Sequence, residues 1–328
     1  MSFNNVVGQE AAKRILKDEL KSNRVSHAYL FLGADGLGKK ELALEFVKAL
    51  LCPSEGLESC DECIICRKIE HQNHADVRLL TREEGSRNIK IDQIRNLQQE
   101  IIYKPYEGKR KTFIIDDADK MTLEAANSLL RTLEEPPDYA VLILLAEEIN
   151  QLLPTIISRC QQIYFHSVAQ EKIKQHLKKF DFSSAEASLY SRLAEGSPGV
   201  ALELVQDEDY KEIRTKVIDF LIDLQNKSLV KIFKQVNDLE KYLQQDFPLF
   251  DLISSWYRDI ILCIEGNNKQ IVNIDYLSEI KQLSLENSVD RLTKNISYLN
   301  KIKDYVDRNV NKSLALQVLM IKLRSGRM

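Results

Sequence analysis

Gly33-Ala34-Asp35-Gly36-Leu37-Gly38-Lys39-Lys40 is the stretch that decides the fold. It follows a short apolar run, Ala28-Tyr29-Leu30-Phe31-Leu32, and opens a segment in which Leu42, Phe46, Val47 and Leu50 recur on one helical face. Strand, glycine loop and helix in that order are the context a phosphate-binding loop needs. Gly33, Gly36 and Gly38 let successive backbone N–H groups turn toward phosphate oxygens, and the helix N-terminus adds partial positive charge. Lys39 stands where the motif lysine reaches the outer phosphates. The next position departs from the pattern. A hydrolytic loop carries Ser or Thr there, whose hydroxyl ligates Mg²⁺. Lys40 has no lone pair to offer and repels the metal. The stretch predicts strand-loop-helix geometry without productive Mg-ATP hydrolysis; the plainer alternative is a glycine-rich turn that binds nothing.

Outward from the loop, further short β-rich runs lie at Val77-Arg78-Leu79-Leu80, Thr112-Phe113-Ile114-Ile115-Asp116, Val141-Leu142-Ile143-Leu144-Leu145 and Gln162-Ile163-Tyr164-Phe165. Helical patterns separate them. Ile91, Ile94, Arg95, Gln98 and Ile102 share a face, its apolar members inward, and Ala125, Ala126, Leu129, Leu130 and Leu133 form a stripe stopped by Pro136-Pro137. This alternation predicts an α/β domain with a parallel sheet covered on both faces. The run Ile114-Ile115-Asp116-Asp117-Ala118-Asp119 ends a strand in acids. Asp116 takes the metal-side position of an ATPase acidic motif. Asp117 stands where such ATPases carry a glutamate that polarises water, and it is one methylene shorter. Solvated acids capping the next helix are the alternative.

After about Ser167 the strand signals stop. Lys172–Lys179, Ser184–Glu195 and Pro198–Val205 read as three short helices, and Ile213–Leu224, Phe247–Ile264 and Val289–Tyr305 as longer amphipathic ones. The expected domains are 1–167, 168–208 and 209–328.

Nowhere does an apolar run approach the ~20 residues of a membrane span. Met1 to Glu10 has no basic segment leading into an apolar core, so a cytoplasmic protein is expected. Forty-six basic and 49 acidic residues give a net charge of −3. A chain that coats DNA by itself is usually strongly basic, so any DNA contact is expected from a local patch or as part of an assembly.

Four of the six cysteines cluster as Cys52-x7-Cys60-x2-Cys63-x2-Cys66. Soft thiolates and fourfold coordination favour a structural Zn²⁺ with no open position for water. Free thiols in a surface excursion are the alternative; His71 and His74 just downstream could substitute as ligands but read first as ordinary surface histidines.

Together these residues resemble the clamp-loader branch of the AAA+ superfamily, and within it the bacterial delta-prime family. The resemblance is densest from Val6 to Cys160. It is carried by Val6-Val7-Gly8-Gln9, Ser26-His27-Ala28-Tyr29, the cysteine module, Ile91-Asp92-Gln93-Ile94-Arg95, Lys104-Pro105-Tyr106-Glu107-Gly108, the run Ala126 to Pro137, and Leu153-Pro154-Thr155-Ile156-Ile157-Ser158-Arg159-Cys160. It implies a five-stranded AAA+ domain, a small helical lid and an all-α C-terminal collar. It implies that Arg159 of the Ser-Arg-Cys signature projects into a neighbour's ATP site; a guanidinium neutralises charge on a transferring phosphoryl group. Without the resemblance, Arg159 reads as a surface arginine paired with a nearby carboxylate. The implied partners are the gamma/tau motor subunits, the delta subunit, primer-template DNA and, indirectly or weakly, the sliding clamp. Arg95 is the implied DNA-backbone contact, set against a solvated helix arginine.

Two departures from the motor subunits accompany Lys40. Gly196-Ser197-Pro198-Gly199 has glycine where the motors carry an arginine that contacts nucleotide, and Ala146-Glu147-Glu148 replaces a polar Thr or Asn. The expectation is therefore an organiser that hydrolyses no ATP. The alternatives are a motor subunit of the same loader and a stand-alone AAA+ replication or repair protein.

Overall fold

The structure is a computed structural model that describes residues 3–54, 56, 58–245, 247–308 and 310–325. The chain forms two compact units: one runs to Phe180 and includes Glu195–Val200, the other takes in Asp181–Ala194 and the residues from Ala201 on.

The first unit alternates helix and strand: α1 (Glu10–Ser22), β1 (Ala28–Leu32), α2 (Lys39–Leu51), α3 (Ile64–Glu70), β2 (Val77–Leu80), α4 (Ile91–Ile101), β3 (Lys111–Ile115), α5 (Leu123–Glu134), β4 (Ala140–Ala146), α6 (Pro154–Ile157), β5 (Gln161–Tyr164) and α7 (Gln170–Lys178). The strands make one sheet in the order β2-β3-β4-β1-β5, every pair parallel. β1, β3 and β4 are buried along their whole length, as strands covered on both faces must be. Side chains alternate across the sheet. Ala28, Leu30 and Leu32 face a core shared with Ile94, Leu97 and Leu129. Tyr29 and Phe31 face the opposite core with Leu16, Leu42 and Phe46.

The inward stripe of α4 differs from the sequence expectation. Ile94, Leu97 and Ile101 are buried, whereas Ile102 is 71% exposed. The helix ends at Ile101, and the inward face runs from Ile94 through Leu97 to Ile101 rather than through Gln98 to Ile102. Gln98 lies beside that face, where its amide donates to Ser128 O at 2.7 Å and Thr132 Oγ1 at 3.1 Å on α5.

Between α3 and β2 the buried Asp76 carboxylate accepts three backbone N–H groups, from Tyr106 at 2.6 Å, Glu107 at 2.7 Å and Gly108 at 3.0 Å. This clasps the α4–β3 loop to the edge of the sheet.

The second unit is all helix: α8 (Ser184–Leu193), then α9 (Pro198–Gln206), whose first residues belong to the first unit, α10 (Glu208–Ile222), α11 (Leu229–Gln244), α12 (Leu249–Ile264), α13 (Leu277–Glu286), α14 (Val289–Asp307) and α15 (Lys312–Ser325). Trp256, Leu299, Leu316 and Leu319 are buried in it. The buried Asp259 on α12 accepts the N–H groups of Val272 and Asn273, and Arg214 on α10 holds Asp275 at 2.6 Å and Asn273 at 2.8 Å. Among the described residues no helix is long and apolar enough to cross a membrane.

Burial pushes the Asp76 carboxyl up, but the amide donors of Tyr106, Glu107 and Gly108 outweigh it and hold the group below its ordinary value. A depressed folded-state pKa contributes stability above the unfolded value, and that stability is lost as pH falls through the folded one. Urea midpoints taken from about pH 6 down to about pH 3 should fall in the native chain and fall less steeply in Asp76→Asn. Identical slopes would show that Asp76 is not a source of the acid dependence.

Candidate functional site

The parallel sheet brings the ends of β1, β3 and β4 to one edge, and the glycine loop lies there: Gly33 N–H donates to Ala146 O at 3.2 Å. Strand-loop-helix geometry is present as the sequence predicts, with Gly36 at φ +66° and Gly38 at φ +86°, conformations that favour glycine.

The cations of the loop are turned inward on the chain itself. Lys39 is buried, and its ammonium donates to the loop's own carbonyls, Gly33 O at 2.6 Å and Ala34 O at 2.8 Å. Lys40 Nζ lies 3.1 Å from Asp116 Oδ2. The side chain at the Mg²⁺-ligand position of the loop is thus an ion-pair partner of the metal-side acid. Asp117 has a φ of 55°, and its Oδ2 accepts from Arg82 Nε at 2.8 Å. Both acids at the end of β3 are therefore paired with basic side chains of the same chain. The sequence reading did not find Arg82, because a residue just past β2 becomes a neighbour of Asp117 only when β2 and β3 pair in register.

A turn of the chain closes over the loop. Gly199 N–H donates to Gly36 O at 2.8 Å, and Ser197 Oγ donates to Asp35 O at 2.7 Å. A Cβ on Gly199 would sit 2.8 Å from Gly36 Cα. No side chain fits there without moving the glycine loop, so the absent arginine at this position is matched by an absence of room. Glu147, just beyond β4, lies near Lys39, Asp35 and Asp119. Burial raises its pKa, Lys39 lowers it, and the two aspartates raise it again, for a net shift upward.

Arg159 follows α6 and precedes β5. Its guanidinium is partly exposed and bound within the chain, Nη2 to Glu134 Oε1 at 2.6 Å and Nη1 donating to Thr155 O at 2.9 Å. Glu134 is the last residue of α5, where a nearby cation also complements the helix dipole. The neighbouring Cys160 is buried, which pushes its thiol up to about 12. Arg95 sits on the exposed face of α4, 3.3 Å from Asp92 Oδ1.

The four cysteines meet between α2 and α3. Cys52 caps the end of α2, Cys63 caps the start of α3, and Cys66 is buried on α3. Their sulfurs all lie within 4.8 Å of one another; Cys52 Sγ is 3.5 Å from Cys60 Sγ and 3.9 Å from Cys63 Sγ. Thiolates about 2.3 Å from a tetrahedral ion stand about 3.8 Å apart, so the donor set fits one metal. The amides of Cys63 and Cys66 donate to the sulfurs of Cys60 and Cys63, each at 3.4 Å. The Cys63 and Glu62 amides hold the Cys60 thiol down at about 6, while burial pushes Cys66 well up. His71 and His74 do not join the cluster. His74 is buried rather than at the surface, and its Nδ1 accepts the Asp76 N–H at 3.0 Å.

A family model described as DNA polymerase III, delta subunit, matches residues 8–169, and one described as DNA polymerase III, delta subunit, C terminal, matches residues 208–325. The DNA polymerase III subunit delta' of Bacillus subtilis (strain 168) is 32% identical over 323 residues, covering 97% of this chain and 97% of that protein. The DNA polymerase III subunit tau of the same organism is 26% identical over 98% of this chain, which spans 61% of tau's own length. A solved DNA polymerase III gamma subunit-related protein of Thermotoga maritima overlays with a TM-score of 0.48 at 23% identity, covering 96% of this chain and 99% of the other.

Proposed function

The chain belongs to the delta-prime family of DNA polymerase III subunits, and on that footing we propose that it is the clamp-loader subunit that organises the assembly without hydrolysing ATP. The observation that carries this reading is the ion pair of Lys40 with Asp116. Mg²⁺ at a phosphoryl-transfer site needs oxygen ligands from the loop hydroxyl and the acidic strand. Here the hydroxyl is replaced by an ammonium, and that ammonium engages the acid. Lys39 on its own loop carbonyls, Arg82 on Asp117 and the Ser197–Gly199 turn on Gly36 add to the same effect. A motor-subunit reading requires each of these contacts to be undone.

Arg159 is the group this subunit lends. The neighbour it serves is a gamma/tau-type ATPase, whose transferring phosphoryl group would take the place of Glu134 on the guanidinium. The delta subunit and primer-template DNA complete the set of partners, with Arg95 as the candidate contact to phosphate. In the helical unit, Leu229, Val230 and Phe233 on α11 and Leu314 and Val318 on α15 are exposed apolar side chains on two packed helices, and they suit a collar built with other subunits. The four thiolates hold a structural Zn²⁺.

Three measurements test this. The purified chain should release phosphate from ATP no faster than its Lys39→Ala variant; a Lys39-dependent rate would restore the motor reading. In the reconstituted loader, Arg159→Ala should preserve assembly by gel filtration and slow the one site it serves about a hundredfold or more, and an unchanged loader rate refutes the finger. Metal analysis of protein purified under reducing conditions should return one zinc per chain, falling sharply in Cys63→Ser; a metal-free native chain removes the zinc.

A further inference from the structure

The α4–β3 loop is an exposed stretch that standard packing does not account for. Ile102 and Tyr103 are each 71% exposed and Tyr106 is 87% exposed, with Lys104 and Lys109 in solvent beside them. Such side chains, without a core behind them, do not fix a loop's position. Tyr139 holds its start, with the hydroxyl on Ile102 O at 2.7 Å, and further contacts come from the segment carrying the cysteines. Lys68, two residues past Cys66 on α3, places its ammonium 2.7 Å from Glu107 Oε1 and 2.8 Å from Oε2. Leu51, the residue before Cys52, packs on Gly108, where a Cβ would meet Leu51 Cδ2 at 3.1 Å. Asp76, which takes the three loop amides, is reached from α3 through a hydrogen-bonded connection: Asn73 N–H to Lys68 O, Asp76 N–H to His74 Nδ1 and Val77 N–H to His74 O. The buried His74 Nε2, 3.9 Å from Glu107 Oε2, has no hydrogen-bond partner of its own, so its position depends on what surrounds it.

Without a metal the module is held by a short helix and a few side chains, among them Lys17 on Glu58 at 2.6 Å. α3 is seven residues long, too short to be stable alone. It is seated on α2 by Ile69, buried in one core with Phe46, Val47 and Leu51, and by a buried ammonium, Lys48 Nζ, lying 3.2 Å from Glu45, 3.4 Å from Asp61 and 3.8 Å from Glu70. Four thiols without a metal contribute little cross-linking, whereas one metal closes Cys52 at the end of α2 onto Cys60, Cys63 and Cys66 and fixes α3 to α2.

We propose that the cysteine module is a metal-dependent anchor for the exposed Tyr103–Arg110 loop, acting through Lys68 on Glu107, Leu51 on Gly108 and the α3-to-Asp76 connection. The anchor rests on the reading that the four cysteines bind zinc. The strands of the sheet do not depend on it, since β1, β3 and β4 are paired on both sides and buried. Lys68 and Glu107 are positioning residues for the loop and touch neither the sulfurs nor the glycine loop.

The test is amide hydrogen exchange on the full chain, with zinc content measured on the same samples. Removing zinc with a chelator under reducing conditions should speed exchange at Tyr106, Glu107 and Gly108 by roughly tenfold while the amides of Phe113 and Leu142 keep their rates. Lys68→Ala should retain its zinc and still speed the loop amides about two- to fivefold, the range a partly exposed ion pair supports. Zinc-free chain with an unaltered loop, or zinc-loaded Lys68→Ala with an unaltered loop, overturns the anchor and leaves the zinc reading standing. Native chain that carries no zinc overturns both. If metal removal also releases the Phe113 and Leu142 amides, the metal is a general fold element and the specific anchor is wrong.

Discussion

An ammonium at hydrogen-bonding distance from Asp116 sets the chemistry of the glycine-loop edge of the sheet. A side chain of charge +1 and a hydrated divalent cation compete for the same carboxylate, and they do so unequally in kind. The lysine comes tethered, so it is always present, but it accepts nothing and cannot bridge to a phosphate. Mg²⁺ needs several oxygens in octahedral array, and removing one strong ligand while adding a neighbouring positive charge works against it twice. The ion pair itself is partly exposed and contributes at most about 1 kcal/mol to stability. Its importance is that it neutralises the acid with the wrong partner, and stability has little to do with it.

The surrounding contacts point the same way because they share a cause. The polar groups around the loop take their partners from the chain itself. Lys39 finds the carbonyls of Gly33 and Ala34, Asp117 finds Arg82, and the carbonyls of Asp35 and Gly36 find Ser197 and Gly199. Each pairing is ordinary alone. Together they commit the side chains and carbonyls around the loop to partners within the chain, and a ligand that used those groups would have to displace bonds already made.

Much of this was legible in the sequence, and the rest was hidden for a definite reason. The loop, its lysine pair, the acidic strand end and the cysteine spacing are local, and local patterns carry their own geometry: Gly36 and Gly38 do adopt positive φ, and the four sulfurs do converge. The partners are not local. Arg82 meets Asp117 across 35 positions of sequence, Ser197 meets Asp35 across 162, and Lys68 meets Glu107 across 39. Nothing in a run of residues says which distant basic group will arrive, because strand register and helix docking decide it. The Ile102 error has the opposite origin. From Ile94 the inward pattern can step by four to Gln98 and Ile102 or by three to Leu97 and then to Ile101, and the structure takes the second.

The same distinction bears on Arg159. Its signature is local and strong, yet its present partners are Glu134 and the Thr155 carbonyl within the chain. These contacts do not argue against a role across a subunit boundary. A guanidinium offers five donors, and a partly exposed pair with Glu134 is weak enough to be exchanged for a more highly charged phosphoryl group. They also hold the side chain against the end of α5 rather than free to sample many rotamers, which lowers the entropy lost when it docks. In the proposed reading the chain treats its two charged sites in opposite ways. At the glycine loop Lys39 is buried on the loop's own carbonyls and Lys40 holds the metal-side acid, whereas Arg159 is bound to Glu134 and the Thr155 carbonyl. In that reading the two sites differ in which acid is taken: Lys40 holds the carboxylate a metal would need, whereas Arg159 holds one that a phosphoryl group can replace.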